Sequence, residues 1–347
     1  MLWKSCLISS GYGAFANTYF LLYDIKLAKA ITYTSQLTIK WIEKYIIDNL
    51  NIIKSLYIDT DSLYLSVTES IKKLCEIKKI NYADLSFNDK YELISEFIIP
   101  KIETIIKSGY EKLGNNLNVF ENTFEMKREL IGDAGIWLAK KSYCVKMIDK
   151  EGVRKTEKDK PYVKGYEIAK KSSNSKWVID NLIEYLELIF KNDKFKTTAF
   201  EKEKYKEFKN NLVNDYFSIR SVSSLNNYES VDSKGAQAHI KGCILYNTII
   251  KENKLESSFP FIKQGDKIHF SYIIEPNKFN SNSIAYLDGI DGDQFLKIVK
   301  DKYNIEINFK KQWETVFIKP ARRLTNAVNW IMIDNSKTNI MSLLKEK

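Results

Sequence analysis

Asp59 and Asp61 flank one threonine in the run Ser55-Leu56-Tyr57-Ile58-Asp59-Thr60-Asp61-Ser62-Leu63-Tyr64-Leu65-Ser66-Val67. The run reads as strand, two-residue turn, strand, so both carboxylates fall at the exposed tip of a hairpin. Two carboxylates held this close repel unless a cation neutralises them. Oxygen donors of this kind suit Mg²⁺, which commonly takes its remaining ligands from substrate phosphates. The plainer alternative is an ordinary turn, because Asp favours turns.

The elements around the hairpin can be read from apolar spacing. Asp24 is placed to cap a helix whose apolar face includes Leu27, Ile31, Trp41 and Tyr45, and the hairpin is expected to pack on that helix. A second helix is expected over 90–113, kinked or broken at Pro100. Residues 122–147 read as strands, with Phe120, Phe124 and Met126 on one face and Ile136, Tyr143 and Val145 around a Gly132/Gly135 turn. This is a helix-on-sheet, α+β layout. Beyond about residue 145 helices dominate, notably 174–191 with Trp177, Ile179, Leu182, Leu186 and Phe190, and a β-containing insert covers roughly 239–275. No internal repeat or low-complexity linker separates the two parts, which are therefore expected to pack closely.

Composition bounds the function without naming it. A chain of 347 residues with net charge +10 can bury a sizeable core and suits a polyanionic partner, although a solvated lysine-rich surface gives the same balance. Cys6, Cys75, Cys144 and Cys243 form no Cys-x-x-Cys pair, and with only His239 and His269 beside them a zinc site is not expected. Isolated thiols fit a reducing, cytoplasmic setting. No run of 18 or more apolar residues predicts a membrane span. The first sixteen residues imitate a leader peptide but are too polar, with Ser5, Ser9, Ser10, Gly11 and Gly13 in the would-be apolar stretch.

The hairpin, with its apolar flanks, resembles motif C of family B DNA polymerases, Tyr-Gly-Asp-Thr-Asp-Ser. The resemblance continues in the family's order. Gly11-Tyr12-Gly13-Ala14-Phe15-Ala16-Asn17 is similar to the tail of motif B, Trp137-Leu138-Ala139-Lys140-Lys141-Ser142-Tyr143 to the Lys-Lys-Arg-Tyr element, and Gly165-Tyr166-Glu167 with Lys170-Lys171-Ser172-Ser173 to the start of the thumb. Ser221-Val222-Ser223-Ser224, His239-Ile240-Lys241-Gly242, Tyr246-Asn247 and Phe317-Ile318-Lys319-Pro320 resemble the thumb of T-even-type phage polymerases.

The resemblance implies an α+β fold: a partial polymerase palm, an antiparallel sheet with helices, followed by a mainly helical thumb with a β-containing insert. On that reading residues 1–23 are a remnant of the fingers helix, 24–145 the palm portion and 146–347 the thumb. It also implies metal-assisted nucleotidyl transfer by two Mg²⁺ ions. Asp61 is then the stronger candidate for a direct ligand and Asp59 a neighbour that tunes the site or ligates as well. Tyr12, Gly13 and Thr60 would line the nascent base pair and nucleotide. Lys140, Lys141 and Tyr143 would hold the primer–template minor groove, whose acceptors are nearly sequence-independent. Lys170, Lys171, Lys241 and Lys319 would grip phosphates. The implied partners are primer–template DNA, a dNTP, a polymerase chain N-terminal to this one and a sliding clamp, for which Ile340-Met341-Ser342-Leu343-Leu344 is a faint docking peptide; no membrane is expected.

The departures are specific. The family's motif A, Asp-x-x-Ser-Leu-Tyr, and its exonuclease acidic cluster are absent from this sequence. Ser5 stands where the motif B lysine is expected, with Lys4 one position away; Ser9 replaces an Asn, Ile58 a Gly and Ser142 an Arg. One carboxylate pair cannot hold both ions, so the chain alone is expected to be inactive. Three readings remain: a polymerase portion active with a separate N-terminal chain, a non-catalytic DNA-binding remnant or truncated product, and an unrelated basic protein with a chance Asp-Thr-Asp turn.

Overall fold

The computed structural model describes residues 13–59, 61–166, 174–211 and 216–330. Asp24 caps the first long helix, α1 (Ile25–Asn49), its Oδ1 accepting from the backbone N–H of Lys26 (2.8 Å) and Leu27 (3.1 Å). α1 buries Ala28 near its start and then Ile39, Ile42 and Ile46 in its second half. Leu27 and Ile31, expected on the apolar face, are 42% and 38% exposed, so the buried stripe is displaced toward the C-terminal half.

The chain separates into two units. The first comprises residues 1–133 with 147–159, the second 134–146 with 160–347. In the first, strands β1 (Lys54–Asp59) and β2 (Ser62–Ser66) pair antiparallel, Asp59 opposite Ser62 and Ile58 opposite Leu63. Ile58, Leu63 and Leu65 pack with Ile39, Ile42 and Ile46 of α1, as the apolar flanks predict. Helix α2 (Thr68–Lys78) follows, then a helical run of α3 (Phe87–Leu93), a π-helical turn (Ile94–Ile98) and α4 (Ile99–Asn116). Pro100 therefore sits at the start of α4, and the wider turn before it accommodates the missing N–H. The same device recurs at Glu314–Ile318, ahead of Pro320.

Helices α1 and α4 approach closely at Gly109. A Cβ there would meet Ile42 Cδ1 at 2.7 Å and the Tyr45 ring at 2.8 Å, and the Gly109 carbonyl accepts from Trp41 Nε1 at 3.1 Å. Gly109→Ala should destabilise this unit by about 1–3 kcal/mol despite alanine's better helix propensity, because the fully buried Ile42 has nowhere to move. Urea denaturation with tryptophan emission reads this directly; a neutral or stabilising result would show that the helices separate freely.

The expected strand beginning at residue 122 is not formed. Residues 117–129 are irregular, Phe120 is exposed, and strand β3 starts at Leu130 and continues unbroken to Ala139. Gly132 and Gly135 make no turn. A Cβ at Gly135 would lie 2.7 Å from the Trp137 ring, so this glycine allows a close approach within a strand. The turn falls instead at Lys140–Lys141, before β4 (Ser142–Lys150), which pairs with β5 (Val153–Arg154) and β6 (Tyr162–Lys164).

The second unit is built on α5 (Lys176–Phe190), capped by Ser175, and α6 (Lys194–Asn210). Its sheet is three-stranded, β7 (Ser218–Ser221), β8 (Lys267–Tyr272) and β9 (Ser283–Leu287), all antiparallel. The expected insert at 239–275 is thus corrected: 238–253 is helix α7 (Ala238–Asn253), and the strands are contributed from 218 to 287. Gly242 lets α7 lie on β9, a Cβ there meeting the Ile284 carbonyl carbon at 2.9 Å. Helices α8 (Gly292–Tyr303), α9 (Phe309–Trp313) and α10 (Lys319–Ala327) complete it. Stacked Trp313 and Phe317 rings (4.2 Å) anchor these last turns, with Ala321 and Leu324 fully buried. The molecule is mixed α+β with antiparallel sheets. Among the described residues no helix is long and apolar enough to cross a membrane.

Candidate active site and nucleic-acid interface

The hairpin tip distributes its two carboxylates unequally. Asp59 ends β1 and is 5% exposed, whereas Asp61 lies in the turn with its side chain in solvent. Their backbones are tied together: the Asp61 N–H donates to the Asp59 carbonyl at 2.7 Å, and the same oxygen accepts from Ser62 Oγ at 3.0 Å. The turn is therefore pinned by its own main chain, and Asp61 is presented outward from a rigid base. Tyr57 and Tyr64 pair across the strands at 6.1 Å. Thr60 and Tyr12 lie outside the described residues, and Gly13, the first of them, is exposed with nothing within 4 Å of where a Cβ would be.

Carboxylate oxygens have the hardness Mg²⁺ prefers. Among the described residues, however, no group of three or more His, Cys, Asp or Glu side chains could hold an ion. Asp59 and Asp61 fit as part of a Mg²⁺ site rather than as all of one.

The second constellation surrounds the Lys140–Lys141 turn. Both lysines are exposed. Tyr143 is not: it is 1% exposed, its ring beside Trp137 (6.4 Å) and Tyr162 (6.2 Å), with Lys164 Nζ 5.7 Å from the ring centroid. Tyr143 thus supports the turn from beneath and leaves the lysines as its outward face. Ser142, 5% exposed, donates through Oγ to the Gly165 carbonyl at 3.0 Å and accepts from Arg323 Nη2 at 3.4 Å.

Lys319 is exposed one helical turn before Arg323 on α10, so the two share a face. The basic run Arg322-Arg323 following Lys319, and Lys164 on β6, are the cations that sequence reasoning passed over. Arg322-Arg323 was legible as a charge cluster; its approach to residue 142 was not. Lys241 lies on α7 and is half-buried, and Lys170 and Lys171 lie outside the described residues, as do residues 340–344.

An α+β chain carrying a carboxylate-tipped hairpin and a lysine turn is homologous to a part of the phage DNA-directed DNA polymerases. It is 31% identical over 344 residues to the DNA-directed DNA polymerase of Escherichia phage RB69, covering 93% of this chain and 36% of that one. To the DNA-directed DNA polymerase of Enterobacteria phage T4 it is 29% identical over 341 residues, covering 91% of this chain and again 36% of the relative. The chain therefore spans about a third of the length of these relatives. No family model matches it.

Proposed function

We propose that this chain forms the palm and thumb portion of a phage-type family B DNA polymerase, which extends a primer by template-directed nucleotidyl transfer. The observation that carries the reading is the pairing of a buried Asp59 with an outward Asp61 on one pinned turn, in a chain similar to phage polymerases over nearly its whole length. Mg²⁺ bound there would orient the primer 3′-hydroxyl and neutralise charge on the dNTP phosphates. Asp61 supplies an oxygen to that site from solvent side, and Asp59 fixes its negative potential from below. The remaining ligands come from polymerase sequence outside this chain, contributed by a separate N-terminal polypeptide. The exposed apolar run around α1 supports a covered surface there, with Tyr19 96%, Leu21 94% and Leu22 61% exposed.

Lys140 and Lys141 hold the duplex behind the primer end, and Lys319 meets phosphate. Phosphate contacts release counterions, so affinity for primer–template falls linearly in log–log salt plots. Lys319→Ala should reduce that slope by about one and weaken binding alike across sequences. An unchanged slope would remove Lys319 from the interface. Primer extension with Mg²⁺ and dNTPs, by this chain mixed with the upstream-encoded half, tests the whole reading. Salt-sensitive binding without extension in the mixture would favour the alternative, a DNA-binding remnant.

A further inference from the structure

We infer that Arg323 is a positioning residue for the Lys140–Lys141 turn: it holds a strained backbone from a distant helix and so keeps both lysines aimed at their ligand. The inference rests on the reading above for what that ligand is, duplex DNA, but not for the mechanical claim itself.

The strain is visible in the turn. Lys141 adopts φ +61°, the left-handed region that disfavours a side chain bearing a Cβ. A turn of this shape normally carries glycine or asparagine at that place. Lysine persists there only where its surroundings over-determine the conformation. Those surroundings can be named. Gly165, itself at φ +65°, lies so close that a Cβ on it would overlap the Lys141 carbonyl oxygen and sit 2.9 Å from the carbonyl carbon. Ser142, next in the chain, uses its one hydroxyl proton on the Gly165 carbonyl and a lone pair on Arg323. The guanidinium carbon of Arg323 meanwhile lies 5.5 Å from the Tyr166 ring centroid. Arg323 therefore touches the residue after Lys141 and the residue after Gly165, closing the clamp from outside.

Its own base is firm. On α10, Ala321 and Leu324 are fully buried, which fixes where Arg323, next to Leu324, can reach. The contact spans 181 residues of sequence and couples the turn to the helix that carries Lys319. A planar guanidinium can lie against an aromatic ring and donate at its edge together, which an ammonium cannot reproduce. The chemistry thus distinguishes positioning from simple charge.

The test uses the full chain and a primer–template duplex, with affinity from fluorescence anisotropy and backbone hydrogen exchange read over residues 139–143. Arg323→Ala and Arg323→Lys should both speed exchange at the turn and weaken DNA binding by about fivefold, a coupling expected between directly contacting groups. In a Lys141→Gly background, where the turn carries no strain, Arg323→Ala should change affinity and exchange by less than about twofold. Full restoration by Arg323→Lys, or an undiminished effect in the Lys141→Gly chain, would overturn the inference and make Arg323 a plain cationic contact. If the unaltered chain fails to bind duplex DNA, the functional reading falls, and the exchange data alone still decide whether Arg323 holds the turn.

Discussion

Asp61→Asn should leave the fold and the affinity for primer–template unchanged while lowering templated extension by about 10³-fold. The magnitude follows from the several kcal/mol of transition-state charge stabilisation that a metal site supplies, at about 1.4 kcal/mol per tenfold in rate. The selectivity follows from geometry. Asp61 is exposed in the turn, and its backbone N–H bond to the Asp59 carbonyl does not involve the side chain. Asparagine keeps the shape and turn preference and removes only the charge. Asp59→Asn should also lower extension but shift the unfolding midpoint as well, because that side chain, at the end of β1, is only 5% exposed. Extension rate and urea midpoint, measured for both variants with the rest of the polymerase supplied, separate the two roles. Equal stability effects at both positions would contradict the division into an outward ligand and a buried neighbour.

The second large effect concerns the backbone. Gly165→Ala should destabilise the second unit by more than about 4 kcal/mol, at the extreme of what a single methyl group does. Left-handed φ accounts for about 1–2 kcal/mol of this. The larger share is steric: the new Cβ meets the carbonyl of Lys141 and lies 3.1 Å from Ser142 Cα, and both are main-chain atoms that cannot rotate aside. Relief requires parting β6 from the lysine turn, which also breaks the Ser142–Gly165 hydrogen bond. Trp137, close to Tyr143 beneath the turn, offers an emission signal for the separation. A loss under about 1 kcal/mol would mean that the clamp around Lys141 is loose.

What the sequence disclosed follows from the range of the forces involved. The hairpin was legible because alternation, two turn residues and their apolar flanks are all local, and the observed strands end at Asp59 and begin at Ser62. The Asp24 cap was legible for the same reason. The three-stranded sheet was not, since its strands are short and separated by a helix, and pairing across 218–287 leaves no periodic trace. Gly132 and Gly135 misled because glycine marks both turns and close approaches, and only the Trp137 ring over Gly135 distinguishes them. On α1 the expected face holds at Trp41 and Tyr45 but not at Leu27 and Ile31, because amphipathic spacing reveals a stripe but not how far along the helix its partner α4 reaches. At the candidate site, both aspartates and both lysines were readable by type, whereas the burial of Tyr143 and the reach of Arg323 depend on contacts between distant segments.

The most direct test of the central claim is single-nucleotide primer extension with Mg²⁺, using this chain together with a polypeptide that supplies the rest of the polymerase. The account predicts incorporation of the template-matched nucleotide only when both are present, lost with Asp61→Asn while DNA binding persists. Incorporation that ignores Asp61→Asn, or none in a mixture that binds primer–template tightly, would contradict it.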